Sequence, residues 1–159
     1  MQASESRLFA YRSEFHQAVQ ELLTRTRRAV ALVDGDFADW PLESPAAIAQ
    51  LERILREPES RLRLIVHSTD WLEKRGARLG QLRRTFAGRV ECRQAPAAVA
   101  AGEGLMLGDR LHLLRKAHFE SFRGRVMFAM PDQAEPWGHK YDALWEESTP
   151  CLTNTALGL

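Results

Sequence analysis

Three aspartates, Asp34, Asp36 and Asp39, follow the apolar run Val30 to Val33, and the first two stand one residue apart. Two carboxylates in that spacing at the exit of a buried strand suit phosphoryl chemistry. One can attack phosphorus, the other can move a proton, and a divalent cation can bridge them. The same residues also suit a turn, because Asp and Gly end strands and start loops. In that reading Phe37, Trp40 and Leu42 clamp the loop "DGDFADWPL" onto the core. Ligands of open α/β sheets gather at the carboxyl ends of strands. Asp34 and the turn after His67 are both expected at such ends, so the ligand candidates are Asp34, Asp36, Ser68, Asp109 and His112.

Asp-x-Asp after a first strand, Ser68 or Thr69 after a second and "LMLGD" (105–109) together resemble pieces of the haloacid-dehalogenase-type phosphatases. Such an enzyme would be a metal-dependent phosphoesterase working through Asp34 and Asp36. The pattern departs from that family in detail. Phe37 follows Asp36 where the family prefers Gly, and Arg110 to Lys116 supply no second acid after Asp109. No metal-ligand cluster and no cofactor motif stand out elsewhere. Cys92 and Cys151 are the only cysteines, far apart in sequence, and they form neither a disulfide framework nor a zinc motif.

The elements that must carry these residues alternate. Residues 4–27 show a helical stripe of Leu8, Phe15 and Leu22 joined by Tyr11, Val19 and Leu23, with Ser4 or Ser6 as cap. Strands are expected at 28–34, 61–67, 89–93 and 124–130. Residues 105–116 read as a hairpin turning at Gly108-Asp109. Helices are expected at 44–57, opened by Ser44-Pro45, at 68–88 and at 131–148, with Asp132 and Glu135 at capping-box spacing. Strand–helix–strand repeats followed by a hairpin and a helix predict a mixed α/β sheet covered on both faces and preceded by a long N-terminal helix. One domain, 1–159, results, with the helix at 1–27 and the sheet core at 28–159.

The ending "YDALWEES" (141–148) resembles the signature that closes many phospholipase D-like domains, and the element order resembles one half of that fold. A closer resemblance joins "DGDFADWPL" (34–42), "KRGARLGQLRRTFAG" (74–88), "LGDRLHLL" (107–114), "FRGRV" (122–126), "ALWEES" (143–148) and "NTALGL" (154–159). It is to an uncharacterised bacterial family of phospholipase D-like domains, found alone or after an acetyltransferase domain. That resemblance implies the fold, and a homodimer, since single halves of this kind commonly pair. It also suggests a protein partner such as an acetyltransferase. The phospholipase D superfamily works through His-x-Lys-(x)4-Asp, in which the His attacks phosphorus and the Lys holds phosphate oxygens. None of the five histidines here has Lys two residues on. In "RLHLLRK" a Leu, Leu114, stands in the Lys place after His112, and Leu cannot bind phosphate. The expectation is therefore a module without catalytic residues.

Net charge is +1, which supplies no global field for nucleic acid or membrane. Arg75, Arg78, Arg83 and Arg84 remain local candidates for phosphate or nucleic-acid contact, although Glu73 and Glu91 interleave with them. Only 3 of the 22 basic residues are lysines. No apolar stretch has the length of a membrane span, and the N-terminus lacks the apolar core of a signal peptide. A cytoplasmic, membrane-free binding or regulatory domain is the expectation, with nucleic-acid binding as a further alternative.

Overall fold

The structure is a computed structural model, described over residues 3–118 and 121–152. Eight strands form one mixed sheet: β1 (Glu5–Phe9), β2 (Ala29–Asp34), β3 (Arg61–Val66), β4 (Val90–Gln94), β5 (Gly104–Gly108), β6 (His112–Lys116), β7 (Gly124–Phe128) and β8 (Thr149–Pro150). Their spatial order is β1-β7-β6-β5-β2-β3-β4-β8. Only the β2–β3 and β3–β4 pairs are parallel. Each of those pairs is joined through helices, as parallel neighbours require. Five helices complete the fold: α1 (Arg12–Arg25), α2 (Pro45–Leu55), α3 (Asp70–Arg75), α4 (Ala77–Thr85) and α5 (Pro131–Glu147).

Strand side chains alternate between two cores, as a period of two demands. Leu62, Leu64, Met106, Leu114, Val126 and Phe128 face the helices α1 to α4. Ile65, Leu105, Leu107, Leu113 and Met127 face α5 through Ala134, Tyr141 and Trp145. The Tyr141 hydroxyl donates to the Leu32 carbonyl at 3.1 Å, which fixes α5 across the centre of the sheet.

The long N-terminal helix expected over 4–27 is instead a strand and a shorter helix. Residues 5–9 pair antiparallel with β7. The Glu14 carboxylate accepts from the Ala10 and Tyr11 N–H groups and starts the helix there, so neither Ser4 nor Ser6 is the cap. Within α1 the stripe is covered inside the chain, with Phe15, Val19, Leu22 and Leu23 all at 0% exposure, whereas Leu8 and Tyr11 of the expected stripe precede the helix and are exposed. The helix expected over 68–88 breaks at Gly76, where a Cβ would stand 2.5 Å from the Leu72 carbonyl oxygen. The hairpin turns one residue later than expected, through Asp109 and Arg110, both in left-handed backbone. Ser44 does cap α2, accepting from the Ala47 N–H. No side chain caps α5, whose first residue is Pro131, and Pro136 lies inside that helix.

Among the described residues no helix is long and apolar enough to cross a membrane.

Candidate functional site

Asp34 is the last residue of β2 and is 3% exposed. Its Oδ2 accepts from the Phe37 N–H at 2.9 Å and the Asp36 N–H at 3.3 Å. Phe37 sits in left-handed backbone at φ 66 and is fully buried, so the loop is held by packing as well as by the carboxylate. Asp36 caps the next step of the same loop, its Oδ1 accepting from the Ala38 N–H. The Asp39 carbonyl meets His16 Nε2 at 2.9 Å. Trp40 packs edge-on against Phe15 and Phe37. In geometry this segment is a clamped turn.

The register of the sheet gives Asp34 a second set of neighbours. Val33 pairs with Leu105, and Gly104 pairs with Lys116, which pairs in turn with Gly124. Continued by one residue, that register places Asp34, Gly104 and Lys116 in one row across β2, β5 and β6, on the face covered by α1. Lys116 is fully buried, and its Nζ lies 5.7 Å from the ring centres of Phe15 and Phe122. Gly104 makes the row possible. A Cβ there would stand 3.0 Å from Asp34 Oδ1, 3.0 Å from the Trp40 ring and 3.3 Å from Lys116 Cβ.

Burial pushes the Asp34 carboxyl above its usual range. The Phe37 N–H, the Lys116 charge and the nearby Trp40 indole N–H pull the other way. Asp34 Oδ1 and Trp40 Nε1 both lie out of solvent without a well-formed hydrogen bond among the described residues. The result is a buried acid and a buried amine in one row of the sheet, close to the rings of Phe15, Phe122 and Trp40.

The structure does not bring the sequence candidates together. Ser68 shares the Asp34 end of the sheet: its N–H donates to the Gly35 carbonyl and its hydroxyl accepts from the Asp70 N–H. Asp109 lies at the opposite end of β2, where it accepts from the Arg27, Arg28 and Ala29 N–H groups. Five residues of strand, roughly 16 Å, separate Ala29 from Asp34. His112 is at that far end too, paired with Gly108. It is fully buried, accepts from the Ala129 N–H at Nδ1 and packs edge-on against Phe128. Burial lowers its pKa, which favours the neutral ring. Among the described residues no group of three His, Cys, Asp or Glu side chains could hold a metal ion.

The candidate arginines do not form one set. Arg75 ends α3, exposed. Arg78 is anchored to Glu43, whose carboxylate accepts the Arg78 and Leu79 N–H groups at the start of α4. Arg84 is exposed and binds Gln81, and together with Lys74 and the half-buried Arg83 it lines a cleft beside β4. The motif "NTALGL" (154–159) lies outside the described residues.

Sequence reasoning missed Lys116 and Gly104. A signal existed: Lys116 falls on the inward positions 112, 114 and 116 of β6, and lysine is rare in this arginine-rich chain. It also missed that Cys92 and Cys151 meet, with sulfurs 3.1 Å apart.

A family profile described as a domain of unknown function, DUF7931, matches residues 11–157. The chain belongs to the DUF7931 family. No curated protein matches it. Solved structures do resemble this DUF7931 chain. TrmBL2, an archaeal chromatin protein with a novel mode of DNA binding, superposes with TM-score 0.67 at 12% identity, covering 92% of this chain and 54% of its own. The chain thus spans about half the length of that protein. NucT from Helicobacter pylori gives 0.64 at 10% identity, covering 94% of this chain and 100% of its own. Nuc from Salmonella typhimurium, a phospholipase D family member, gives 0.63 at 11% identity, covering 95% and 100%. The DUF7931 fold seen here is phospholipase D-like, a mixed sheet flanked by helices.

Proposed function

We propose that this DUF7931 chain is a cytoplasmic binding or regulatory module that keeps the phospholipase D-like fold without its phosphodiesterase chemistry. One observation carries the reading. Asp109 closes β5, and the His-x-Lys-(x)4-Asp spacing counted back from it reaches Gly104 and Gly102. No nucleophile or phosphate-binding amine can come from either glycine. The space beside Gly104 is filled by Asp34, Trp40 and Lys116, which are packed away from solvent. Side chains packed away from solvent in this way do not meet a phosphodiester.

The partner this module takes is a protein. The proposed occupants are a second copy of the chain and an acetyltransferase domain. Leu8 and Tyr11, 67% and 71% exposed, border a cleft of about 610 Å³ along β1, the edge strand. Glu14 and Glu103 line it together with Arg123 and Arg125. A surface carrying both signs can complement itself about a two-fold axis. Nucleic-acid binding is weak in this reading, since a net charge of +1 gives little counterion release.

The metal-dependent phosphoesterase is the reading to test against. Mg²⁺ with inorganic phosphate should leave the melting temperature unchanged, because Asp34 Oδ2 and Asp36 Oδ1 are held by backbone N–H groups of the turn and Asp34 Oδ1 is shut off from solvent. A rise that disappears in Asp34→Asn would move the assignment to that enzyme class, by linkage of metal binding to stability.

A further inference from the structure

Cys92 in β4 and Cys151 just beyond β8 are 59 residues apart in sequence and meet at the sheet edge. The register Gln94↔Thr149, Arg93↔Pro150 continues to Cys92 and Cys151. The Cys151 N–H donates to the Cys92 carbonyl at 3.0 Å, so the two residues stand directly opposite. Opposed residues of an antiparallel pair have Cα atoms about 4.5–5.5 Å apart, inside the range a disulfide spans. Both thiols are free, with the sulfurs 3.1 Å apart. They line a shallow groove of about 190 Å³ with Arg83 and Gly88, wide enough to admit a small oxidant.

We propose that Cys92 and Cys151 form a redox site that takes a hydroperoxide as oxidant and closes a reversible disulfide, latching the C-terminal strand β8 onto β4. The two sulfurs are not equivalent. Cys151 is the more exposed, and its contact with the Cys92 sulfur, with Arg83 nearby, lowers its pKa. Cys92 is buried, and that same contact together with burial raises its pKa. The pair thus yields its first proton from Cys151, and the thiolate is the nucleophile. That thiolate attacks the terminal oxygen of hydrogen peroxide. The O–O bond breaks, hydroxide leaves and takes a proton, and Cys151 becomes a sulfenic acid. Cys92 sulfur then attacks Cys151 sulfur. The S–O bond breaks, and the departing hydroxide takes the Cys92 proton. Two thiols lose two electrons, and one peroxide becomes two waters.

The test uses the reduced full chain treated with stoichiometric hydrogen peroxide and then quenched. The expected product has lost about 2 Da with no added oxygen. Its titratable thiols fall from two to none, and it runs as a single chain on a non-reducing gel. The melting temperature rises by roughly 5 °C, as closing a long loop does, and dithiothreitol reverses the change. Cys92→Ser should instead retain a sulfenic acid or a glutathione adduct on Cys151. Two free thiols after oxidation, an interchain bridge, or oxygen added to Cys151 while wild-type Cys92 stays free would each overturn the proposal.

Discussion

At the residue scale, Asp34 and Lys116 must be understood through each other. A carboxylate 3% exposed and an amine fully buried share one row of the sheet. Leaving either charge without the other inside the protein is costly. Asp34→Asn keeps an oxygen to accept the Phe37 and Asp36 N–H groups, so the turn survives. What it removes is the charge facing Lys116. Lys116→Met removes the other member while keeping most of the volume. Each single substitution should destabilise, and the pair together should cost less than the sum. A double-mutant cycle by urea unfolding should give a coupling of roughly 1–3 kcal/mol. Strict additivity would mean that the two side chains do not sense each other and that Asp34 is a turn residue alone.

At the scale of elements, the excess of arginine has a structural use. Arg53 donates to the Leu23, Thr24 and Thr26 carbonyls at the C-terminal end of α1. Arg89 donates to Leu55 and Glu57 at the end of α2, and Arg93 to Trp145 near the end of α5. Each guanidinium satisfies carbonyls that a helix end leaves open and sits where the helix dipole favours a cation. Arg53→Met should lower stability by about 1.5–3 kcal/mol, the range for hydrogen bonds to a charged group. Arg84→Met, on an exposed face, should stay within about 0.5 kcal/mol. Equal effects in thermal or urea melts would contradict this division of labour.

These duties were not legible in the sequence, because a cap offered by a residue 27 to 52 positions away leaves no local spacing. The strands β2 and β3 and the start of α2 were legible, since apolar runs and Ser44-Pro45 are local signals. Strand β1 was not. Leu8, Phe15 and Leu22 fit a helical period, and only pairing with β7 makes Glu5–Phe9 extended. The site divides the same way. Asp34 was found from its place after a strand. Its partner Lys116 and the gap at Gly104 depend on the cross-strand register, which no single stretch encodes. The meeting of Cys92 and Cys151 was hidden for the same reason.

For the whole molecule, the fold is that of phospholipase D-like proteins. The covered stripe of α1 removes one reason to expect a dimer, and the exposed Leu8 and Tyr11 on the β1 edge supply another. Light scattering should report twice the 18.1 kDa chain mass, with Leu8→Glu and Tyr11→Glu together restoring the monomer. A monomer in the unsubstituted protein at high concentration would defeat the dimer. The central claim is the absence of phosphodiesterase chemistry, and the most direct measurement of it is hydrolysis of bis-p-nitrophenyl phosphate by the purified chain, with and without Mg²⁺. The account predicts no release of p-nitrophenolate above the buffer rate under either condition. Sustained turnover that is abolished by His112→Ala or Lys116→Met, in variants that remain folded, would contradict it.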